Sequence, residues 1–250
     1  MTTILLMGAG AGKRMNSDVP KPCIEVNGVP MWMHVADKLG TGFVDDIVNK
    51  TFVTRETCRE HVKVDEYSCP DTHLVDDVTF IPDMSTLGPA WSVVAATLTH
   101  DAYTDVLILD SDCFLETGTG LQSAVPQMLK AVTGLNTQAL VFGARAEENN
   151  PHVATIKNAR RSEFVRIQEG GVDAFGLYAI GAYWFRSMSY FRYCLNKVDK
   201  SKEAKISDVI NACGTGTVEC PELQGRFVNL GTEELLAAYC KERGFHGQAV

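Results

Sequence analysis

The chain opens with Ile4-Leu5-Leu6-Met7-Gly8-Ala9-Gly10-Ala11-Gly12-Lys13-Arg14, an apolar run that leads directly into a glycine-rich, basic loop. The run has the length and composition of a buried β-strand. Glycines after it let backbone N–H groups converge on an anion without a Cβ in the way, and Lys13, Arg14 and the nearby Lys21 add positive charge. This stretch therefore predicts an α/β sheet with a phosphate-binding loop at the end of its first strand.

Two common phosphate-loop motifs do not match this loop. The dinucleotide-binding pattern G-x-G-x-x-G, started at Gly8, needs a glycine where Lys13 stands, and the P-loop needs Ser or Thr where Arg14 stands. What remains is Gly10-x-Gly12-x-Arg14-Met15, followed by Pro20-Lys21-Pro22. An ordinary strand-to-helix turn explains the glycines, but no turn requires the arginine or the Pro-Lys-Pro sequence.

Composition narrows the class of protein. The 250 residues, 45% hydrophobic and 22% charged, suit one globular domain, and we treat residues 1–250 as such. A net charge of −8 argues against nucleic-acid and anionic-membrane partners. The eight cysteines form no C-x-x-C pair, the histidines form no zinc motif, and the chain shows neither a secretory leader nor a membrane-spanning run. We expect a cytoplasmic protein with reduced thiols.

Short apolar runs alternate with stretches of helical period, which predicts an α/β fold with a mostly parallel sheet flanked by helices. We expect a nucleotide-binding part at about residues 1–145 and a small antiparallel insert at about 146–186. Predicted strands cover residues 4–7, 46–53, 78–81, 106–109, 139–144, 153–156, 163–167 and 177–185. Predicted helices cover residues 31–39, 55–62, 89–99, 121–132, 187–196, 206–212 and 233–243, and residues 197–205 are expected to form an exposed loop.

Two carboxylates follow the apolar run Val106–Leu109, in the sequence Asp110-Ser111-Asp112. Ligands of open α/β sheets bind at the carboxyl ends of the strands. Oxygen ligands presented there suit Mg²⁺, which takes its remaining ligands from water and substrate phosphates. Alone, these acids also fit a solvated or helix-capping turn; beside a phosphate loop, a magnesium site is the better interpretation.

The pattern Gly10-x-Gly12-x-Arg14-Met15 with Pro20-Lys21-Pro22 resembles the signature of sugar-phosphate nucleotidyltransferases, which join a nucleoside triphosphate to a sugar 1-phosphate. The resemblance implies a Rossmann-like sheet of the nucleotide-diphospho-sugar transferase type. It also implies catalytic roles for Arg14, which would hold the departing phosphates, and for Lys21, which would contact the α-phosphate and the acceptor. Nucleotide contacts are implied for Leu6, Gly8, Ala9, Gly10, Gly12, Lys13, Thr86, Gly88 and Asp110.

The same resemblance implies the metal and the acceptor sites. Asp112, with Asp110 as the fallback, and Asn229, which precedes Gly231-Thr232, take the places of the family's Mg²⁺ ligands. Acceptor contacts are implied for Gly143, Glu169 and Ala179. Relatives often place Lys-Pro after that glutamate, whereas this chain has Gly170-Gly171, so Lys157 or Arg166 is left to contact the acceptor phosphate.

We therefore expect an Mg²⁺-dependent enzyme that takes a nucleoside triphosphate and a sugar 1-phosphate or another small phosphorylated acceptor. A homo-oligomer is compatible with this function. One alternative is a phosphocholine-type cytidylyltransferase, for which Tyr178, Tyr183 and Trp184 would supply an aromatic cage. Another is a glycosyltransferase that uses Asp110 and Asp112 to hold the metal of a nucleotide sugar. A non-catalytic nucleotide-binding regulator is the third.

Overall fold

The protein is described by a computed structural model that covers residues 2–10, 15, 17–39, 47–62, 75–83, 86–116, 137–145, 154–157, 165–168 and 177–245. Within these ranges the strands are β1 (Thr2–Met7), β2 (Glu25–Val26), β3 (Val29–Pro30), β4 (Ile47–Arg55), β5 (Asp77–Ile81), β6 (Asp105–Asp110), β7 (Cys113–Glu116), β8 (Ala139–Arg145), β9 (Thr155–Lys157), β10 (Arg166–Gln168), β11 (Leu177–Phe185), β12 (Val218–Glu219), β13 (Glu222–Leu223) and β14 (Arg226–Asn229). The α-helices are α1 (Met31–Leu39), α2 (Pro89–Ala96), α3 (Met188–Leu195), α4 (Ile206–Asn211) and α5 (Glu233–Arg243), and short 3-10 helices cover Lys21–Cys23 and Glu56–His61.

The first strand occupies the middle of the main sheet. β1 pairs in parallel with β4 on one side and with β6 on the other, and β5 continues the parallel part beyond β4. The full order is β10-β9-β11-β6-β1-β4-β5, with β8 also pairing with β11 and with the short strands β12 and β13. The predicted class, a mostly parallel sheet with helices and a few antiparallel strands, is confirmed.

Side chains of β1 alternate between two cores. Ile4 and Leu6 belong to a core with residues of α1 and α5, whereas Leu5 and Met7 belong to a core with residues of α2, α3 and α4. Alternation follows from the two-residue period of a strand. Burial on both faces explains why the strand reads as a continuous apolar run rather than as an alternating one.

The predicted insert is tied into the main sheet more closely than expected. β11 pairs antiparallel with β6 as well as with β8 and β9, and all nine of its residues are buried. It is therefore a central strand, and β9 and β10 are the described strands of the predicted insert that lie beyond it. Its pairing with β8 shifts register between Ala179 and Tyr183, where Gly181 has a φ of +71°. The predicted boundary near residue 146 lies outside the described residues.

Local signals account for the helix ends. α5 begins at Glu233 as predicted because Thr232 Oγ1 accepts a hydrogen bond from the backbone N–H of Leu235, and it ends before Gly244, which has a φ of +66°. α2 stops earlier than predicted, and the Thr97 hydroxyl bonds back to the carbonyl of Val93.

The predicted helix over residues 55–62 is wrong, because this short segment forms a 3-10 helix instead. The predicted helix over 121–132 lies outside the described residues. None of the described helices is long and apolar enough to cross a membrane.

Candidate active site

A cleft of about 320 Å³ opens at the carboxyl ends of β1 and β6. These ends are adjacent because Met7 pairs with Asp110 in the parallel ladder, so the glycine-rich segment after β1 lies beside the acids after β6. The cleft is lined by Met7, Gly8, Ala9, Gly10, Lys21, Pro22, Pro89, Ser92, Asp110, Ser111, Asp112, Glu203 and Gly231. Loop residues that follow two parallel strands are therefore brought together as the sequence predicted.

Lys21 and Asp112 form an ion pair inside this cleft. The Lys21 ammonium contacts Oδ2 of Asp112, and the two side chains are only 14% and 19% exposed. Lys21 Nζ also donates to the backbone carbonyl of Gly231 at 3.3 Å. The lysine begins a 3-10 helix whose next two residues, Pro22 and Cys23, are buried, which fixes the backbone from which the ammonium extends. Pro20-Lys21-Pro22 thus places one cation opposite the predicted metal ligand.

Asp112 and Asn229 reach the same place from distant parts of the chain. β7 pairs antiparallel with β14, which sets Cys113 opposite Asn229, and the Leu230 N–H donates to the carbonyl of Asp112 at 2.7 Å. A Cβ added to Gly231 would lie 2.7 Å from Asn229 Oδ1 and 3.2 Å from Asp112 Oδ2. Asn229 Oδ1 accepts a hydrogen bond from the Gly231 N–H at 2.7 Å. Both side-chain oxygens therefore lie close to the backbone of Gly231, where a larger residue would meet them.

Asp110 lies against a glycine that the sequence analysis did not single out. Gly181 has a φ of +71°, and a Cβ there would lie 2.8 Å from Oδ2 of Asp110. Any larger residue would meet this carboxylate and would also strain the backbone. A glycine inside the apolar run Leu177–Phe185 was the available signal, since a strand glycine often marks a bulge or a close approach.

A thiol that the sequence analysis did not single out contacts the acidic centre. Cys113 Sγ donates to Oδ1 of Asp112 at 3.2 Å. Burial raises the pKa of the Cys113 thiol well above its ordinary value, and the negative charges of Asp112 and Asp110 raise the pKa further. The thiol therefore stays protonated near neutral pH and remains a donor to the carboxylate.

The two glycines nearest β1 have different surroundings. A Cβ on Gly8 would lie 2.5 Å from Phe52 Cε2 and 3.1 Å from Pro22 Cβ, so Gly8 is required by packing. Apart from its chain neighbours, no atom of the described residues lies within 4 Å of the Gly10 Cβ position, and Gly10 lines the cleft. Gly10 is thus free to let a ligand approach its backbone, which is the property the sequence analysis attributed to the loop.

Residues 4–175 match the family model described as the MobA-like NTP transferase domain. The chain belongs to this family. The match confirms the resemblance to nucleotidyltransferases on which the predicted site residues rest.

A curated relative and several solved structures are similar to this MobA-like domain. The bifunctional protein GlmU of Cupriavidus pinatubonensis is 34% identical over 122 residues, which are 49% of this chain and 24% of that protein, so the chain matches about a quarter of its relative's length. A candidate glucose-1-phosphate thymidylyltransferase from Bacillus anthracis, solved with sucrose, gives a TM-score of 0.73 at 15% identity over 100% of this chain and 98% of that one. UTP-bound UGPase from Acinetobacter baumannii gives 0.72 at 16% identity over 100% and 95%. The inositol-1-phosphate CTP transferase from T. maritima gives 0.70 at 14% identity over 96% of each chain.

Gly88, one of the predicted nucleotide contacts, is covered on one side by the backbone of another segment. Gly88 has a φ of +94°, and a Cβ there would lie 2.6 Å from the backbone N and O of Ala204. Ala204 N–H donates to the carbonyl of Leu87 at 2.8 Å, and Ala90 N–H donates to the carbonyl of Ala204 at 3.0 Å. The segment 197–205 is therefore not simply an exposed loop, because Ala204 is buried and Glu203 lines the cleft.

Several predicted nucleotide contacts stay predictions. Thr86 is exposed, and neither it nor Gly88 lines the cleft, whereas Pro89 and Ser92 of α2 do, although the sequence analysis did not select them. The Leu6 side chain packs in the core, so only its backbone could meet a nucleotide. Gly12, Lys13 and Arg14 lie outside the described residues.

The predicted acceptor residues Gly143 and Ala179 face each other across β8 and β11. Both are buried and neither lines the cleft; a Cβ on Gly143 would lie 2.9 Å from Ile156 Cδ1, so packing also requires this glycine. Arg166 donates to the backbone carbonyl of Asn211. Glu169, Gly170 and Gly171 lie outside the described residues, so the acceptor contacts stay predictions.

The prediction that three aromatic rings form a cage for a quaternary ammonium is wrong. Tyr178, Tyr183 and Trp184 are each at most 6% exposed. Trp184 Nε1 donates to Oδ2 of Asp105 at 2.9 Å, and the other two rings are also buried along β11. The rings are buried because β11 is a central strand rather than an edge of the insert.

Among the described residues, no three His, Cys, Asp or Glu side chains cluster closely enough to make a metal site by themselves. Of the predicted metal ligands, Asp112 and its fallback Asp110 line the cleft, whereas Asn229 does not line it and lies beside Gly231, which does.

Proposed function

We propose that this MobA-like domain transfers a nucleotidyl group from a nucleoside triphosphate to a sugar 1-phosphate, giving a nucleotide sugar and pyrophosphate. The observation that carries the proposal is the cleft itself, where an open glycine-rich strand end faces the Lys21–Asp112 ion pair. Such a cleft combines backbone N–H groups for phosphate oxygens with one buried cation and one carboxylate.

In this reaction a phosphate oxygen of the acceptor attacks the α-phosphorus of the triphosphate. A new phosphorus–oxygen bond forms, the bond from the α-phosphorus to the bridging oxygen breaks, and pyrophosphate leaves with the electron pair. The acceptor is already an anion, so no general base is required. The barrier comes largely from charge repulsion, which is about 4 kcal/mol per charge pair at 4 Å with an effective dielectric of about 20.

Lys21 is suited to reduce that repulsion. Its ammonium lies within the cleft and is mostly shielded from water, where a positive charge acts on nearby phosphates more strongly than at the surface. We assign it to the α-phosphate and the incoming acceptor. Arg14, which follows the glycines in sequence, is assigned to the departing β- and γ-phosphates.

Asp112 and Asn229 fit a magnesium ion. Mg²⁺ binds carboxylate and amide oxygens and commonly uses only one or two protein ligands, with substrate phosphates and water completing its shell. Their oxygens both lie beside the backbone of Gly231, and Asp112 already holds a cation in the form of the Lys21 ammonium. When bound, the ion would neutralise phosphate charge and stabilise the leaving pyrophosphate.

The alternatives are separable by their products. A glycosyltransferase would use Asp110 and Asp112 and would leave Lys21 without a role in transfer, yet Lys21 contacts Asp112 directly. The phosphocholine-type cytidylyltransferase loses its support with the burial of the three aromatic rings. Similarity to the inositol-1-phosphate CTP transferase keeps phosphorylated polyols among the acceptors worth testing.

A pyrophosphate-release screen tests the proposal. ATP, GTP, CTP, UTP and dTTP are each combined with a panel of sugar 1-phosphates, inositol 1-phosphate and phosphocholine, with Mg²⁺ and with EDTA. We expect release only when triphosphate and phosphorylated acceptor are both present, and its loss in Lys21→Ala. Release of a nucleoside diphosphate from a nucleotide sugar, without pyrophosphate, supports the glycosyltransferase; binding without turnover supports the regulator.

A further inference from the structure

The candidate cleft is lined from both faces of the main sheet. Gly231 follows Leu230, which belongs to the core shared with α1 and α5. Glu203 precedes Ala204, which belongs to the core on the opposite face. The cleft therefore passes over the carboxyl edge of the sheet, from a side that holds the Lys21 ammonium to a side that holds a carboxylate.

Glu203 is held at the cleft because the residue after it is anchored there. Ala204 is 3% exposed, its N–H donates to the carbonyl of Leu87, and its own carbonyl accepts from the N–H of Ala90. Its backbone also fills the side of Gly88 that a Cβ would occupy. Glu203 itself is exposed, so its backbone is fixed while its carboxylate stays open to solvent and to a ligand.

Neither the family match nor the proposed mechanism gives Glu203 a role. The family model matches residues 4–175, and Glu203 lies beyond them. Its negative charge repels phosphate, so the phosphates of both substrates are favoured on the side of Lys21. Glu203 therefore faces a part of a substrate that carries no phosphate.

The chemistry of a carboxylate narrows what that part is. A carboxylate accepts hydrogen bonds through two oxygens and donates none, so its ligand must offer O–H or N–H donors. Two neighbouring hydroxyl groups match the two oxygens. Hydroxyls are also the donors that both proposed substrates share, on the ribose of the triphosphate and on the ring of the sugar 1-phosphate. Donors on the base differ from one nucleotide to the next.

We propose that Glu203 is a substrate-binding residue that recognises neighbouring hydroxyl groups of a sugar ring in the cleft. This inference rests on the proposed function, which supplies the two sugar rings, ribose and acceptor. The recognition chemistry is the same for both rings, and the experiment below separates them. No bond forms or breaks at Glu203; together with Lys21 it orients a substrate, with the phosphate toward the ammonium and the hydroxyls toward the carboxylate.

The test compares the full chain with Glu203→Gln, which removes the charge at nearly constant size. Glu60→Gln is the control, because Glu60 is also exposed and does not line the cleft. KM and kcat are measured for the triphosphate and acceptor found by pyrophosphate release. They are measured again for the 2′- and 3′-deoxy triphosphates and for acceptor analogues that each lack one hydroxyl. Calorimetric titration of UTP, glucose 1-phosphate and their deoxy analogues measures binding without turnover.

We expect Glu203→Gln to raise the KM of one substrate about 10-fold, with kcat changed less than about 2-fold and no change in Glu60→Gln. The native chain should discriminate against a deoxy analogue of that substrate, and Glu203→Gln should not. Lost discrimination among triphosphates assigns Glu203 to the ribose, and lost discrimination among acceptors assigns it to the acceptor sugar.

The proposal is overturned if neither KM moves, if native chain and Glu203→Gln treat every deoxy analogue alike, or if the change in KM depends on the base. If no substrate pair releases pyrophosphate, the proposed function fails separately, and calorimetry decides the role of Glu203. Weaker binding of a deoxy analogue to the native chain but not to Glu203→Gln then supports the proposal, and equal behaviour of the two proteins overturns it.

Discussion

The ammonium of Lys21 contacts the carboxylate of Asp112, although 91 positions separate the two residues. One follows the first strand and the other follows β6, so the parallel pairing of these strands is what joins them. Both side chains are mostly buried, so each charge offsets the free-energy cost of burying the other. Their contact explains why the Pro-Lys-Pro sequence and the acidic turn, read separately from the sequence, belong to one site.

Replacing Lys21 with alanine is expected to lower kcat about 10²- to 10³-fold while changing the Kd for the triphosphate far less, because the ammonium is assigned to charge that builds up during transfer. Pre-steady-state pyrophosphate release and nucleotide titration measure the two quantities. Lys202→Ala is the control, since that side chain is 61% exposed. Equal losses in kcat for both variants would return Lys21 to a purely structural role.

Asp112→Ala is expected to abolish transfer at every Mg²⁺ concentration, because it removes the carboxylate assigned to the ion and leaves the Lys21 ammonium without its partner. Asp110→Ala, which removes a carboxylate of the same cleft, is the comparison. Activity measured against Mg²⁺ concentration distinguishes them. If Asp110→Ala loses activity while Asp112→Ala retains it, the metal ligand is Asp110 instead.

Asn229→Asp adds a second carboxylate beside Asp112. We expect it to lower the Mg²⁺ concentration needed for half-maximal rate, since two neighbouring carboxylates gain more from a divalent ion than a carboxylate and an amide do. Turnover at saturating Mg²⁺ should change much less than in Asp112→Ala. Metal titration of the rate checks this, with Asn27→Asp at an exposed asparagine as the control; an unchanged Mg²⁺ requirement would remove Asn229 from the ligand set.

The paired variants Gly8→Ala and Gly10→Ala separate packing from ligand approach. A methyl group on Gly8 would press on Phe52, which stacks on Trp32 at 4.4 Å and cannot move aside easily, so we expect a loss of about 1–3 kcal/mol in unfolding free energy. In Gly10→Ala the new methyl group meets no atom of the described residues beyond its chain neighbours, so stability should change by less than about 0.5 kcal/mol. Its triphosphate affinity should nevertheless fall. Urea unfolding and nucleotide titration of both variants decide whether the two glycines divide these roles.

Sequence reasoning succeeded where the signal is local. The apolar runs of β1, β6 and β11 and the capping residues of α5 lie within single segments, and their bounds follow from composition and turn chemistry. Placement of Asp112 near Asn229 also followed, because the family resemblance supplied the long-range pairing that composition alone does not contain. What each residue does there stays a prediction.

Contacts that depend on tertiary packing were not predictable. Nothing in the sequence around Gly88 shows that the backbone of Ala204 fills its open side, because the two segments meet only in the folded chain. Gly181 inside an apolar run does signal a close approach, but the sequence does not show that Asp110 is the residue it meets. Tyr183 and Trp184 misled the interpretation because an exposed hairpin and a central strand share the same apolar, aromatic composition.

Cys23 makes the stability of the protein sensitive to alkaline pH. Burial raises the pKa of its thiol from 9.0 to about 12, with a smaller contribution from Cys58. Between these values the unfolded chain releases the proton and the folded chain keeps it, so the unfolded state is favoured as pH rises. The stabilising contribution is complete below pH 9, and about 1.4 kcal/mol of it should be lost by pH 10.

Urea unfolding between pH 7 and pH 10 should therefore show a shallower loss of stability in Cys23→Ala than in the native chain. Cys220→Ala, at a partly exposed thiol, is the control for removing a cysteine. Equal slopes in all three proteins would show that the Cys23 thiol does not contribute to the alkaline loss of stability.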